Sequence, residues 1–266
     1  MAGQVVLGID GALATVTLSH PGKLNAMSRA MWRELRAVFE ALQLRHDLRC
    51  VIVRGEGRAF CAGGDIAEYP DFRFDEAALR AFHEDEVWGG LSAMLACDIP
   101  VVAQIEGACM GAGVEIASGC DIRIAGVSAR FGAPIAKLGF PMAPREVALV
   151  VGAVGDATAR QMLLEAAVLD SPTLAQRGFL ARVVADANVP AEALASARRV
   201  MALAPQAARL NKRTLRRFSG AFLSDVLSSG SSDAIDSIVN EAYRYADSTE
   251  HREGIGAFLA KRAAVF

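Results

Sequence analysis

Two glycine-bearing turns hold the residues of this chain best suited to chemistry. The first reads Ala59-Phe60-Cys61-Ala62-Gly63-Gly64-Asp65-Ile66, and the second Gly107-Ala108-Cys109-Met110-Gly111-Ala112-Gly113-Val114-Glu115-Ile116-Ala117. In each, glycine follows a short apolar run, so that main chain rather than side chain can approach a ligand. Two backbone N–H groups aimed at one point stabilise an oxyanion as it forms, and losing one such donor typically costs roughly 3 kcal/mol. The chain therefore reads first as an enzyme acting next to a carbonyl. Glu115 lies one turn into the apolar helix that the second turn opens. Partial desolvation there favours a raised pKa and general acid/base work, although pairing with a nearby arginine would give it a structural role instead. Ile116 stands where a dinucleotide fingerprint would need its third glycine after Gly111 and Gly113, which argues against that motif.

The flanking segments must position these turns. Val5–Ile9 and Leu13–Leu18 read as strands around Asp10-Gly11, a pair suited to the positive φ angles of a tight hairpin. Ser28 is placed to cap a helix whose apolar positions Met31, Leu35, Val38 and Leu42 keep helical spacing, while Arg33, Arg36 and Glu40 face out. A strand at Cys50–Val53 leads into the first turn. A helix over 77–96 and a strand at Val101–Ile105 lead into the second, and a strand at Ile122–Ile124 follows. This cadence predicts an α/β fold with parallel pairing. Helices are expected over 147–152, 158–166 and 173–177, with a last short strand at Val183-Val184.

From Pro190 onward strand signals vanish; helices are expected over 191–203, 206–217, 234–246 and 250–264. Ala257-Phe258-Leu259-Ala260 puts apolar bulk near the end, so this layer must pack on its own core or on another subunit. The division is placed near residue 195, between a core of residues 1–195 and a helical region of residues 196–266. Ser228–Ser232, with Gly230, reads as a connector or equally as a plain surface loop.

A chain of 266 residues can bury a sizeable core. Its 28 basic and 30 acidic side chains leave a formal charge of −2, giving no reason to expect nucleic acid or an anionic membrane as partner. The basic patch Lys212, Arg213, Arg216 and Arg217 reads as a solvated helix face. His20, His46 and His251, beside turns or charged residues, read as solvated surface too. Met1-Ala2-Gly3-Gln4 has neither a basic nor an apolar leader character, and no uncharged apolar run approaches the ~18 residues of a spanning helix. A soluble, cytoplasmic protein is expected. The five cysteines, at 50, 61, 97, 109 and 120, are odd in number, lack C-x-x-C spacing and lie among apolar neighbours. Reduced, mostly buried thiols and no metal site follow from that pattern.

The strings AFCAGGDI, PVVAQIEGACMGAGVEIASGCDIRIA, FGAPIAKLGF and HREGIGAFLAKR resemble, in order and spacing, the crotonase family, also called the enoyl-CoA hydratase/isomerase family. The resemblance runs from Val5 to Phe266, nearly the whole chain. It implies an α/β spiral of repeated β-β-α units and a C-terminal helical trimerisation region, giving a homotrimer or a dimer of trimers. It also implies an acyl-CoA thioester as substrate, with no cofactor beyond the coenzyme A that the substrate carries. The thioester oxygen would sit between the N–H groups of Gly64 and Ala112. Family members usually have glycine at the latter position, but alanine supplies the same N–H. The chain itself supports the assignment, because Ala112 opens the helix bearing Glu115, where N–H groups lack intrahelical acceptors and the helix dipole is positive.

Glu115 matches one of the two acids that hydratases place around the substrate's α and β carbons. The other, expected straight after Pro134, is Ile135 here, and isoleucine cannot exchange protons. Three repairs follow. Glu115 acts alone; or Glu146, resembling acids that certain isomerases carry in this loop but several residues further along, takes part; or the enzyme performs other CoA chemistry. A first-turn glutamate favoured by the helix dipole accounts for Glu146 structurally.

Lys23, Leu24, Asn25 and Ala26 resemble the family's first CoA-contacting segment, and Lys261 and Phe258 match a lysine and an aromatic that reach the same groove. Surface exposure accounts for both lysines equally well. Ala62, Asp65 and Ile66 are expected to line the adenine and pantetheine channel. Residues 67–76, with Tyr69, Pro70, Phe72 and Phe74, and also His83 and Trp88, occupy the region that shapes the acyl pocket in the family and suggest an apolar acyl group, although ordinary core packing better accounts for any single one of them. The expected reaction is hydration of a 2-enoyl-CoA. Alternatives are isomerisation, decarboxylation or hydrolysis of a CoA thioester, or a non-catalytic CoA-binding scaffold.

Overall fold

The computed structural model describes residues 2–225 and 248–266; the helix expected over 234–246 and the Ser228–Ser232 connector lie outside them. The chain opens with β1 (Gln4–Asp10) and β2 (Leu13–Ser19), an antiparallel hairpin in which Asp10 pairs with Leu13. The two-residue turn is therefore Gly11-Ala12, one position later than Asp10-Gly11. Gly11 alone takes a positive φ, +55°, as expected where glycine leads the turn.

Helix α1 (Arg29–Gln43) starts at Ser28, whose hydroxyl accepts the Met31 N–H. Its buried stripe is Met31, Trp32, Leu35, Phe39 and Leu42; Val38 is only half-buried, and the aromatic pair Trp32 and Phe39 carries the packing instead. Arg33, Arg36 and Glu40 face solvent. Next come β3 (Cys50–Gly55), a 3-10 turn (Ile66–Asp71) and α2 (Glu76–Ala81). The single helix expected over 77–96 is interrupted. A π-helical turn (Phe82–Val87) joins α2 to α3 (Trp88–Ala96), widening the helix where a side chain is needed in the site.

The chain continues through β4 (Val101–Ile105), β5 (Ala108–Met110), α4 (Ala112–Ser118), β6 (Ile122–Gly126) and β7 (Arg130–Gly132). A 3-10 turn (Pro134–Leu138), α5 (Pro144–Val154), α6 (Asp156–Leu164), β8 (Val168–Asp170), α7 (Ser171–Gln176) and β9 (Arg182–Val184) follow. Then come α8 (Val189–Met201), α9 (Pro205–Asp225) and α10 (Thr249–Leu259).

Six strands form one sheet in the order β1-β2-β3-β4-β6-β9, all pairs parallel after the hairpin. A smaller sheet, β5-β7-β8, pairs β5 with β7 in parallel and β7 with β8 antiparallel. A strand of the large sheet, a strand of the small one and then a helix follow one another in β4-β5-α4 and again, with a 3-10 turn between, in β6-β7-α5, which is the β-β-α repeat that the resemblance implies. Strand β4 is wholly buried because both faces of the large sheet are covered. Trp32, Phe39, Leu91 and Met94 belong to the main core, while Ala193 and Ala197 of α8 pack on Cys50, Ile52, Val102 and Ile124. Residue 195 thus falls inside a helix seated on the sheet.

The basic face of α9 is not solvated. Lys212 is buried, its Nζ donating to the Ile99 carbonyl at 2.8 Å and lying 2.7 Å from Asp121, while Arg213 and Arg216 both hold Asp98 at 2.9 Å. Only Arg217 of that quartet is exposed. His20 is also buried, its Nδ1 2.7 Å from the Ala26 carbonyl, and His251 is half-buried beside Phe266; His46 is exposed as expected. All five cysteines are free and buried. Burial pushes the thiols of Cys50, Cys61 and Cys120 up to about 12.

Candidate active site

The two glycine turns lie side by side. Cys61 and Cys109 form a parallel bridge, the Cys61 N–H donating to the Ala108 carbonyl and the Met110 N–H to the Cys61 carbonyl, both at 2.9 Å. Counting on along this ladder, Gly63 stands opposite Gly111 and Gly64 opposite Ala112. The two glycines meet: a Cβ on Gly111 would lie 3.6 Å from the Gly63 Cα. Both need the left-handed side of backbone space, with φ +117° at Gly63 and +47° at Gly111, so only glycine takes these positions without strain. Each is followed by an N–H, of Gly64 and of Ala112, that no protein acceptor engages among the described residues.

Both residues line one cavity of about 340 Å³, together with Ala62, Ile66, Glu115, Ile135 and Glu146. Its walls are mostly apolar, so the few polar groups in it stand out. Glu115 is 7% exposed on the wholly buried α4. Burial first, and the charge of Glu146 second, hold its carboxyl well above the ordinary carboxylate range. Glu146 sits in the first turn of α5 behind Pro144 and is 3% exposed; its Oε1 is 2.8 Å from His83 Nδ1. His83 belongs to the π-helical turn, and Arg145 anchors α5 to the same turn through Glu84 at 3.1 Å. Ile135 occupies the wall where a second acid was expected.

The other predicted positions divide. Tyr69 and His83 line the cavity, with Phe82, Arg73 and Phe140, whereas Phe74 is 90% exposed and Trp88 is not among the lining residues. Phe72 is buried behind them, edge-on to Tyr69 with ring centroids 5.8 Å apart. Lys23, Leu24, Ala26, Asp65 and Lys261 do not line the cavity. Lys23 instead holds Asp65 at 2.6 Å, and Asp65 caps the 3-10 turn by accepting the Ala67 N–H. Leu24 and Asn25 take φ values of +47° and +60°, a strained bend pinned by the buried Asn25 amide, which donates to the Glu56 and Ala59 carbonyls. That bend accepts the Ala62 N–H through the Leu24 carbonyl and leaves the Leu24 side chain 61% exposed. Lys261 is exposed at the end of α10, and the Phe258 side chain lies outside the described residues. Arg73 escaped sequence reading; its spacing of one helical turn from Tyr69 was the available signal.

Comparison with known proteins gives a consistent picture. The family model described as enoyl-CoA hydratase/isomerase matches residues 8–266. A probable enoyl-CoA hydratase, echA8, of Mycobacterium bovis is 30% identical, covering 97% of this chain and 95% of its own. The short-chain-enoyl-CoA hydratase of Clostridium acetobutylicum is 28% identical over the same shares, 97% and 95%. Among solved structures, one described as an enoyl-CoA hydratase/carnithine racemase from Magnetospirillum magneticum superposes with a TM-score of 0.89 at 36% identity, covering 98% of this chain and 94% of that one.

Proposed function

The chain belongs to the enoyl-CoA hydratase/isomerase family, and from that premise we propose that it binds a 2-enoyl-CoA and hydrates it. One observation carries the reading: two unengaged main-chain N–H groups, Gly64 and Ala112, and two buried carboxyl groups, Glu115 and Glu146, face a single cavity. The thioester oxygen accepts from both N–H groups. Water adds to the β carbon and gives its proton to Glu146, which His83 orients. The electron pair of the double bond moves toward the thioester, whose oxygen becomes enolate-like between the donors. Glu115, whose carboxyl burial holds well above the ordinary range, delivers a proton to the α carbon. Glu146 thus takes the place left by Ile135, reaching the cavity from a helix instead of from the preceding 3-10 turn.

The CoA moiety is assigned to the strained bend at Leu24-Asn25, to Lys23, Ala26, Ala62, Asp65 and Ile66, and to Phe258 and Lys261. A homotrimer or dimer of trimers accounts for apolar side chains left exposed toward the C-terminus, with Leu203 at 55%, Leu215 at 67% and Ile255 at 51%. No described helix is long and apolar enough to cross a membrane.

A second reading draws on Ile135. An aliphatic wall beside Glu115 suits a reaction that moves a double bond or breaks a bond of the thioester without adding water to the β carbon. Incubation with crotonyl-CoA, following loss of the enoyl absorbance and identifying the product, separates the two. A hydroxyacyl product supports hydration; no turnover across a panel of enoyl-CoAs, with CoA binding retained in calorimetry, leaves only a scaffold.

A further inference from the structure

The reaction above leaves one hydroxyl of the cavity without a role. Tyr69 sits in the 3-10 turn after the first glycine pair and lines the cavity beside Gly64, Glu115 and Glu146. Its ring is clamped: Phe72, Phe82 and Phe140 meet it edge-on at centroid distances of 5.8, 6.4 and 5.9 Å, and the Arg73 guanidinium lies 4.6 Å from its centroid. The hydroxyl reaches Gly64 itself. A methyl group on Gly64 would overlap Tyr69 Oη, and the three atoms nearest that imagined carbon all belong to Tyr69. Unlike Gly63 and Gly111, Gly64 has no positive φ. Positive φ therefore does not reserve that position for glycine; the close approach of the Tyr69 hydroxyl does. Among the described residues no protein group hydrogen-bonds that hydroxyl.

We propose that Tyr69 is a catalytic residue whose hydroxyl donates a third hydrogen bond to the thioester oxygen, next to the Gly64 N–H. The assignment rests on the oxyanion reading above and adds a side-chain donor to a hole otherwise built of main chain. Burial, helped by the carboxyl groups of Glu115, Glu146 and Asp65 and opposed by Arg73, pushes the phenol up to about 12. Its proton therefore stays in place through the reaction; the bond shortens as charge gathers on the acceptor and relaxes as it leaves, with no proton transferred. The aromatic clamp fixes the donor before substrate arrives, which is the condition under which such a dipole lowers a barrier. The arrangement also explains an asymmetry between the two turns: Ala112 carries a methyl group that Gly64 cannot.

The test uses a cinnamoyl-CoA thioester whose absorption moves to the red when its carbonyl is polarised. The unaltered protein is expected to shift the probe, and Tyr69→Phe to bind it within about threefold of the same Kd with a smaller shift. On a turned-over enoyl-CoA, Tyr69→Phe should lose about 10- to 100-fold in kcat with little change in KM. Gly64→Ala, which keeps its N–H but displaces the hydroxyl, should lower kcat strongly in the unaltered protein and far less in the Tyr69→Phe background. Full red shift with unaltered kcat in Tyr69→Phe overturns the proposal. So does full red shift with lost exchange of the α proton, which would put the phenol at carbon instead of oxygen. Absence of any shift in the unaltered protein removes the oxyanion reading itself, a result distinct from either.

Discussion

His83 and Glu146, 63 residues apart in the chain, meet at 2.8 Å between Nδ1 and Oε1 inside a largely apolar cavity. The contact depends on a π-helical turn at one end and a proline-started helix at the other, and it fixes a carboxyl group opposite Glu115. Replacing His83 by Phe leaves Glu146, with a side chain only 4% exposed, without its partner. Such a loss costs about 1–3 kcal/mol. Urea unfolding should register it, together with a fall in kcat of about 100-fold. His83→Gln, which retains a donor, should recover most of the stability and little of the rate; equal recovery of both would make His83 purely structural.

Glu115→Gln should remove at least about 100-fold of kcat, because an amide cannot deliver a proton. Its stability should move the other way. The folded chain holds the Glu115 proton above the ordinary value of 4.5, so the stability that proton contributes is full below that value and is lost as pH rises through the folded pKa. Glutamine has no proton to lose. The variant should therefore gain on the unaltered protein as pH is raised from about 5 to about 8, by about 1.4 kcal/mol for each tenfold difference in proton affinity. Unfolding curves at several pH values check this, and a gap that does not widen refutes it.

Gly111 and Ala112 are neighbours with opposite tolerances. Alanine at Gly111, where φ is +47° and ψ −111°, is expected to cost of order 1–3 kcal/mol and to turn the following N–H away from the cavity. Glycine at Ala112 keeps that N–H and should cost at most about 1 kcal/mol in the helix. Steady-state kinetics should find Gly111→Ala crippled and Ala112→Gly within a few-fold of the unaltered enzyme.

Asp98 ties α9 to the core. Burial pushes its carboxyl up, but hydrogen bonds from Arg213, Gln43 and Arg216 outweigh that and hold it below the ordinary value of 3.8. A depressed folded pKa contributes stability above the unfolded value and loses it as pH falls. Amide exchange in α9 should accelerate below about pH 4, and Asp98→Asn should produce the same acceleration at neutral pH. Unchanged protection in the variant would show that Lys212, on Ile99 and Asp121, suffices by itself.

The large sheet was legible because β3 opens on the apolar run Cys50–Val53, β4 is apolar but for Gln104, and α1 keeps a helical stripe under a serine cap. Strands β5, β7 and β8, three residues each, are too short for any periodicity to declare them. The π-helical turn has no composition of its own, since Phe82–Val87 are ordinary helix formers whose hydrogen bonds slip by one residue. Positive φ at Gly63 and Gly111 made both turns readable. The partnership of Glu146 with His83 was not, because it is made between distant helices. The burial of Lys212 in α9 was hidden for a related reason: its Nζ donates to a main-chain carbonyl, and a carbonyl acceptor leaves no mark in a sequence.

The bridge between Cys61 and Cys109 ties the two donor-bearing turns together, while most of the wall around them comes from segments outside that ladder. Ile135, Glu146, His83 and Tyr69 belong to that wall. A protein engineer seeking new thioester chemistry should therefore vary the surroundings freely and keep the ladder untouched, since one residue inserted in either turn would throw both amides out of step at once.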